Sequence, residues 1–248
     1  MSIFNTEGKL YKAITWIGNI FFLNLCWILF SLPIITIGAS TVAAHAMMFK
    51  IMENKEGYLF KGFVKEFKAN FKQGTILWLI TAVAGYGIYI DLQFMFNDNF
   101  DPSVFFMIFS IVGIVLVVCS LIYAYPLSAR YQNKFFMQIK NSFLLATMHP
   151  VKTLILLVII AVEIAGMMWN TVTMILVILI GPMLLIATVA GFAKRIFDVN
   201  DARNAEIGIK PTYVNPDDER DAEEAKSLKE NKYSETEILD SSTINDKQ

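Results

Sequence analysis

The sequence predicts an all-α fold: a polytopic membrane helical bundle of six transmembrane helices, with two cytoplasmic amphipathic interfacial helices and a disordered tail. Three observations predict it. Apolar residues come in blocks, not in the helix- or strand-period alternation of a soluble domain. The longest block, Met167–Ala193, contains no charged residue, and about 20 helical residues cross the ~30 Å hydrocarbon core. The basic residues between blocks fall on alternate connections, which is the positive-inside pattern.

The net charge of −1 hides two unlike halves. Residues 1–197 carry 14 Lys/Arg against 8 Asp/Glu, or +6, and residues 198–248 carry 7 against 14, or −7. The chain therefore divides into a transmembrane domain, 1–197, and an acidic cytoplasmic tail, 198–248. An uncleaved first span is expected, because the small-x-small sequence Ala44-His45-Ala46 lies far beyond signal-peptide length.

The expected spans are 14–31, 34–52, 74–96, 104–125, 153–168 and 171–193. Leu32-Pro33 ends or kinks the first, since proline cannot continue the helix. The second is rich in small residues from Gly38 to Ala44. That suits an interior helix packed closely against its neighbours. The alternative is a re-entrant or broken helix lining a cavity. Asn97–Ser103 and Trp169-Asn170 join the third to the fourth span and the fifth to the sixth. Neither contains Lys or Arg. Lys9 and Lys12, the six lysines from Lys50 to Lys72, the Arg130–Lys152 group, and Lys194 with Arg195 all fall on the other side. Six spans with both termini cytoplasmic satisfy every connection. Losing the second span would place the six-lysine stretch outside.

Two basic stretches have helical period. Phe60, Phe63, Phe67 and Phe71 recur at steps of three and four, with Lys61, Lys65, Lys68 and Lys72 between them. Tyr131, Phe135, Ile139 and Phe143 repeat the pattern at steps of four, with Lys140 alongside. Each predicts a surface helix with phenylalanines at the acyl boundary and lysines near anionic headgroups. At an offset of 72 positions, Phe63 matches Phe135, Phe67 matches Ile139, Lys68 matches Lys140, and Phe71 matches Phe143. This is either a duplicated span–helix–span unit or two answers to one physical demand. Both stretches are candidate partner surfaces.

Polar groups inside spans are costly and so are functional candidates. Asp91 and Glu163 each lie five residues before the outer end of a span, ~7–8 Å deep at ~1.5 Å per residue. Either they share an outward-facing pocket or they reach headgroup water. His45 lies nearer the inner end of its span, so a direct His45–Glu163 pair is not expected. It is a satisfied buried group or a proton relay. Asn24 is expected to make an interhelical hydrogen bond. Cys26 and Cys119 are expected as buried free thiols.

No nucleophile–base pair, metal-ligand spacing or phosphate loop is present in the sequence. The expectation is therefore a protein that is not an enzyme, with no catalytic residues, no cofactor and no bound metal. Nucleic-acid binding is not expected either, because membrane topology accounts for the basic residues. The tail, with Pro211, Pro216 and the acidic run 217–221, is expected to be solvated and disordered, or to dock on a partner.

The runs Leu23–Pro33 and Thr36–Ala44, then Gly57-Tyr58 and Asn70–Thr75, resemble the YesL-like family of small bacterial integral membrane proteins found mostly in Gram-positive bacteria. The resemblance is strong over residues 10–80 and looser to about 197. It has no established activity and no catalytic positions attached to it. It implies a multi-pass protein of the bacterial cytoplasmic membrane, accessory to carbohydrate uptake by an ATP-driven (ABC) sugar transporter or another membrane complex. The other function the sequence allows is a small-solute transporter or channel. In that case a homo-oligomer in the lipid bilayer would complete the pathway.

Overall fold

The computed structural model describes residues 9–96, 104–131, 135–167 and 171–206. Seven α-helices follow in order: α1 (Lys9–Ser31), α2 (Ile37–Met52), α3 (Leu59–Met95), α4 (Val104–Arg130), α5 (Phe135–Met148), α6 (Pro150–Met167) and α7 (Thr171–Glu206). Among the described residues there is no strand. The expected loop at Asn97–Ser103, the turn at Trp169-Asn170 and the tail beyond Glu206 lie outside the described residues.

The break after α1 follows from Pro33, which is extended and lacks an N–H. A 3-10 turn, Ile34–Thr36, then leads into α2. Thr36 secures it: its N–H donates to the Pro33 carbonyl, and its hydroxyl lies 2.6 Å from the Phe30 carbonyl. At the other end of α2, Asn54 adopts positive φ. The Lys55 N–H returns to the Lys50 carbonyl and the Asn54 N–H to that of Ile51, which is a Schellman cap. Gly57, also at positive φ, turns the chain into α3.

Helix α2 is the centre of the bundle. Nearly all of it is buried, including Ala39, Val42, Ala43, Ala44, Met47 and Met48. It packs against α1, α3, α4 and α7. Small residues set how closely it approaches α3: a methyl group on Gly38 would strike the Gly74 carbonyl, and one on Gly74 would strike the Ala39 backbone. Such contact is what holds helices together in lipid, where no hydrophobic effect drives them. Gln138, Tyr123, Leu156, Met183 and Phe197 extend the core toward α4–α7.

The outer surface is apolar. Val83, Val104, Phe105, Phe109, Leu154 and Val162 are all well exposed. An aqueous protein does not present so large a continuous apolar surface, but a bilayer covers it. By length and composition, five helices can cross a membrane, and the bent α5–α6 pair supplies a sixth candidate. The chain is a helical membrane protein.

Two expectations are corrected. The first phenylalanine–lysine stretch is not a separate surface helix. It forms the start of α3, a single 37-residue helix. At ~1.5 Å per residue that helix is ~55 Å long, well beyond a ~30 Å core. Its aromatic stripe also does not face lipid throughout. Phe63 is 0% exposed, and Phe30 of α1 packs on Phe63 and Phe67 at ring distances of 5.4 and 4.9 Å. The amphipathic period marks a buried face, and here another helix buries much of it.

Secondly, the last helix does not stop near Ala193. It continues with the same periodicity to Glu206, so Asp198 and Asp201 belong to the bundle and not to the tail. The second phenylalanine–lysine stretch does form its own helix, α5, which turns 96° from α6. Pro150 sets that elbow, because it disfavours helical backbone at His149 and suits the first position of α6. At the offset of 72, Glu66 and Gln138, Asn70 and Ser142, and Gly74 and Ala146 are all buried pairs.

Candidate functional site

Polar groups gather at two levels of the bundle. Inside, His45 is 4% exposed, and its Nδ1 lies 2.8 Å from the Thr41 carbonyl one turn earlier. An N–H donating to that carbonyl makes Nδ1 the protonated nitrogen and leaves Nε2 as an acceptor. Nε2 is buried without a hydrogen-bond partner among the described residues. The Trp27 indole donates to the Thr41 hydroxyl at 3.1 Å, which in turn donates to the Ile37 carbonyl at 2.7 Å. Asn24 is fully buried in α1.

Glu163 of α6 pairs with Thr188 of α7, whose hydroxyl donates to Oε1 at 2.6 Å. Asp91 of α3 accepts from Ser110 of α4 at 3.1 Å. Glu163 and Asp91 therefore sit in two separate helix pairings. Asp91 and Glu163 do not share a polar contact, and His45 is bonded within its own helix.

The second level is the basic end, where the last turns of α2 and α4 meet α3 and the continuation of α7. Lys50 Nζ lies 3.0 Å from Glu66, whose side chain also accepts from Asn70. Lys194 bridges Glu53 and Asp198, each at 2.9 Å. Arg130 Nη2 lies 2.8 Å from Asp198 and 2.9 Å from Asp201. The Tyr131 hydroxyl donates to Asp201 at 2.6 Å, and the Arg130 guanidinium stacks over the Phe197 ring. Burial pushes the Tyr131 phenol well above its ordinary value, and the hydrogen bond to Asp201 and that residue's charge add to the shift. Asn19 of α1 donates to Glu56 at this same end. Hence α1 enters the bundle and α7 leaves it on one side.

Around this lattice the candidate partner surface divides. Phe63 and Phe67 are committed to Phe30. Phe60, Lys68 and Phe71 are exposed, as are Lys140 and Phe143, while Phe135 and Ile139 are half-buried. Phe136, which the period did not single out, is 85% exposed. The Arg130–Asp198–Asp201–Tyr131 lattice also escaped the sequence reading. Linear charge counts placed its acids in a solvated tail, and only the unbroken helical period across Ala193 could have assigned them to α7.

Among the described residues no group of three His, Cys, Asp or Glu side chains could hold a metal. What the arrangement provides is a bundle with a rigid, charged end and an apolar flank.

These features define a small multi-helix membrane protein. Residues 20–92 match a family described as protein of unknown function, DUF624. The chain is similar to the uncharacterized protein YteU of Bacillus subtilis (strain 168), at 29% identity over 154 residues, covering 60% of this chain and 69% of the relative. It is similar also to the uncharacterized protein YesL of the same organism, at 26% identity over 160 residues, covering 63% and 75%. The YesL-like resemblance is thus borne out. The family segment covers most of α1–α3, including the Gly38–Gly74 crossing. No solved structure matches the chain.

Proposed function

We propose that this protein is a non-enzymatic, accessory or regulatory partner of a carbohydrate uptake system in the bacterial cytoplasmic membrane, with both termini cytoplasmic. The observation that carries this reading is the exposed phenylalanine–lysine surface at the basic end. Phe60 and Phe71 are exposed on α3 with Lys61, Lys68 and Lys72, and Phe136 and Phe143 are exposed on α5 with Lys140. Large apolar side chains flanked by cations suit both anionic headgroups and the cytoplasmic loops of a neighbouring membrane complex. The YesL-like resemblance supports the choice of an ATP-driven sugar permease as that complex.

Affinity purification of the full chain from gently solubilised membranes tests the proposal. Co-purification of a sugar permease or its ATPase supports it. Recovery of the chain alone, under conditions that keep known permease complexes whole, contradicts it.

A second reading, a solute transporter or channel acting as an oligomer, draws on Glu163, whose Oε2 is buried without a hydrogen-bond partner among the described residues. It requires that Glu163→Gln change solute flux in vesicles containing only this protein. Unchanged flux removes the residue on which it rests.

A further inference from the structure

Helices α3 and α4 are pinned to each other at two heights. Thr81 and Tyr125 share a hydrogen bond of 2.9 Å toward the basic end, and Ser110 donates to Asp91 at the other. Between and around these pins the helices leave a cleft of about 570 Å³, open along one side. The sequence explains the gap. Ala84, Gly87 and Gly113 face it, and a Cβ placed on Gly87 or Gly113 would meet nothing within 4 Å. Elsewhere in this protein, glycines at a crossing bring backbones together, as at Gly38 and Gly74. Here they leave a space unfilled.

The walls at the far end are aromatic: Phe94, Phe106 and Phe109. Asp91 is the one charged residue among the described lining residues. A carboxylate in an apolar membrane cleft, answered by a single hydroxyl, is costly and calls for a counter-charge.

We propose that this cleft binds a single-chain cationic amphiphile, its ammonium on Asp91 and its alkyl chain along Gly87 and Gly113. An ammonium brings a positive charge and three donors to a group that only accepts. The size and lining are those of a small-molecule site, apolar with few polar groups. The cleft's length, Ala84 to Phe94, is ~15 Å of helix. A single alkyl chain is much narrower than a helix, which is ~10 Å across with its side chains, and the one carboxylate in the lining favours a cationic head over the apolar face of a second copy. Because the cleft opens among exposed apolar side chains, the ligand enters from the bilayer.

The test uses the full chain in phosphatidylcholine vesicles and a dodecylamine carrying a photoreactive diazirine in mid-chain. Dodecanol with the same diazirine serves as the comparison. Adducts are mapped by mass spectrometry. The amine is expected to label residues 84–94 and 106–117 at least fivefold more than the alcohol. Asp91→Asn should reduce amine labelling to the alcohol level. Gly113→Leu, or Gly87→Leu where the first variant does not fold, should reduce labelling by both probes at least fivefold. Equal labelling by amine and alcohol overturns the proposal. So does amine labelling that survives Asp91→Asn, or chain-to-chain adducts through α3 and α4, which would assign the cleft to a second copy.

Discussion

Gly38 of α2 and Gly74 of α3 touch backbone to backbone, and neither position has room for a methyl group. This crossing joins the buried central helix to α3 within the family-matched region. Overpacking at such a contact is destabilising by about 1–3 kcal/mol. Gly38→Ala and Gly74→Ala should each lower the thermal midpoint in detergent micelles. Gly18→Ala, where an added Cβ meets nothing, should not lower the midpoint and should stabilise the helix by up to about 1 kcal/mol. Equal effects at all three positions would contradict the crossing.

Arg130 holds α4 to α7 through Asp198 and Asp201. Its side chain is largely buried, at 22% exposed. Arg130→Gln leaves Asp201 with only Tyr131 and should weaken the contact by about 1–3 kcal/mol. Trypsin should then cut at Arg195 and Arg203 faster than in the parent chain. Unchanged cleavage would mean that α7 does not depend on this lattice.

Tyr131 titrates above its ordinary value of 10, through burial first and then through Asp201. A phenol whose folded pKa is raised adds stability that is complete below pH 10 and is lost as pH rises through the folded value. Alkaline absorbance titration should therefore count one fewer late tyrosine in Tyr131→Phe than in the parent chain. The difference in stability between the parent chain and Tyr131→Phe should narrow only above pH 10. A tyrosine count that titrates fully near 10 in the folded chain would contradict the Asp201 contact.

Thr153 ties the α5–α6 elbow to α4. Its hydroxyl lies 3.1 Å from the Tyr123 hydroxyl and 2.9 Å from the His149 carbonyl. Tyr123 is wholly buried. Thr153→Val keeps the shape and leaves that phenol without its partner, which should be destabilising by about 1–3 kcal/mol. Thr147→Val, at an exposed hydroxyl on α5, should have little effect. Similar values for the two would show that the elbow is held otherwise.

The helices themselves were legible because the length of an apolar block and the position of a proline are local facts. The break at Pro33, the interior placement of the small-residue helix and the separation of α5 from α6 at Pro150 all follow from them. The direction of a face was not legible. The stripe Phe60–Phe71 announces that something apolar covers it, but not whether that is lipid or Phe30, some 33 residues earlier in the sequence for Phe63. Charge bookkeeping failed at Asp198 and Asp201 for the same reason. Their partner, Arg130, comes beside them only because α4 and α7 run in the same direction and end at the same side of the bundle. The intramembrane groups were found in sequence, yet their partners Ser110, Thr188 and Thr41 are neutral residues that no charge pattern marks.

We propose that the exposed phenylalanine–lysine faces at the basic end contact a membrane partner. Site-specific photocrosslinking in living cells tests it most directly, with a benzophenone amino acid at Phe136 on that surface and at Phe105 on the apolar flank. A protein adduct that contains a permease or ATPase subunit is expected from position 136, and lipid adducts alone from position 105. Lipid adducts alone from both positions would contradict it.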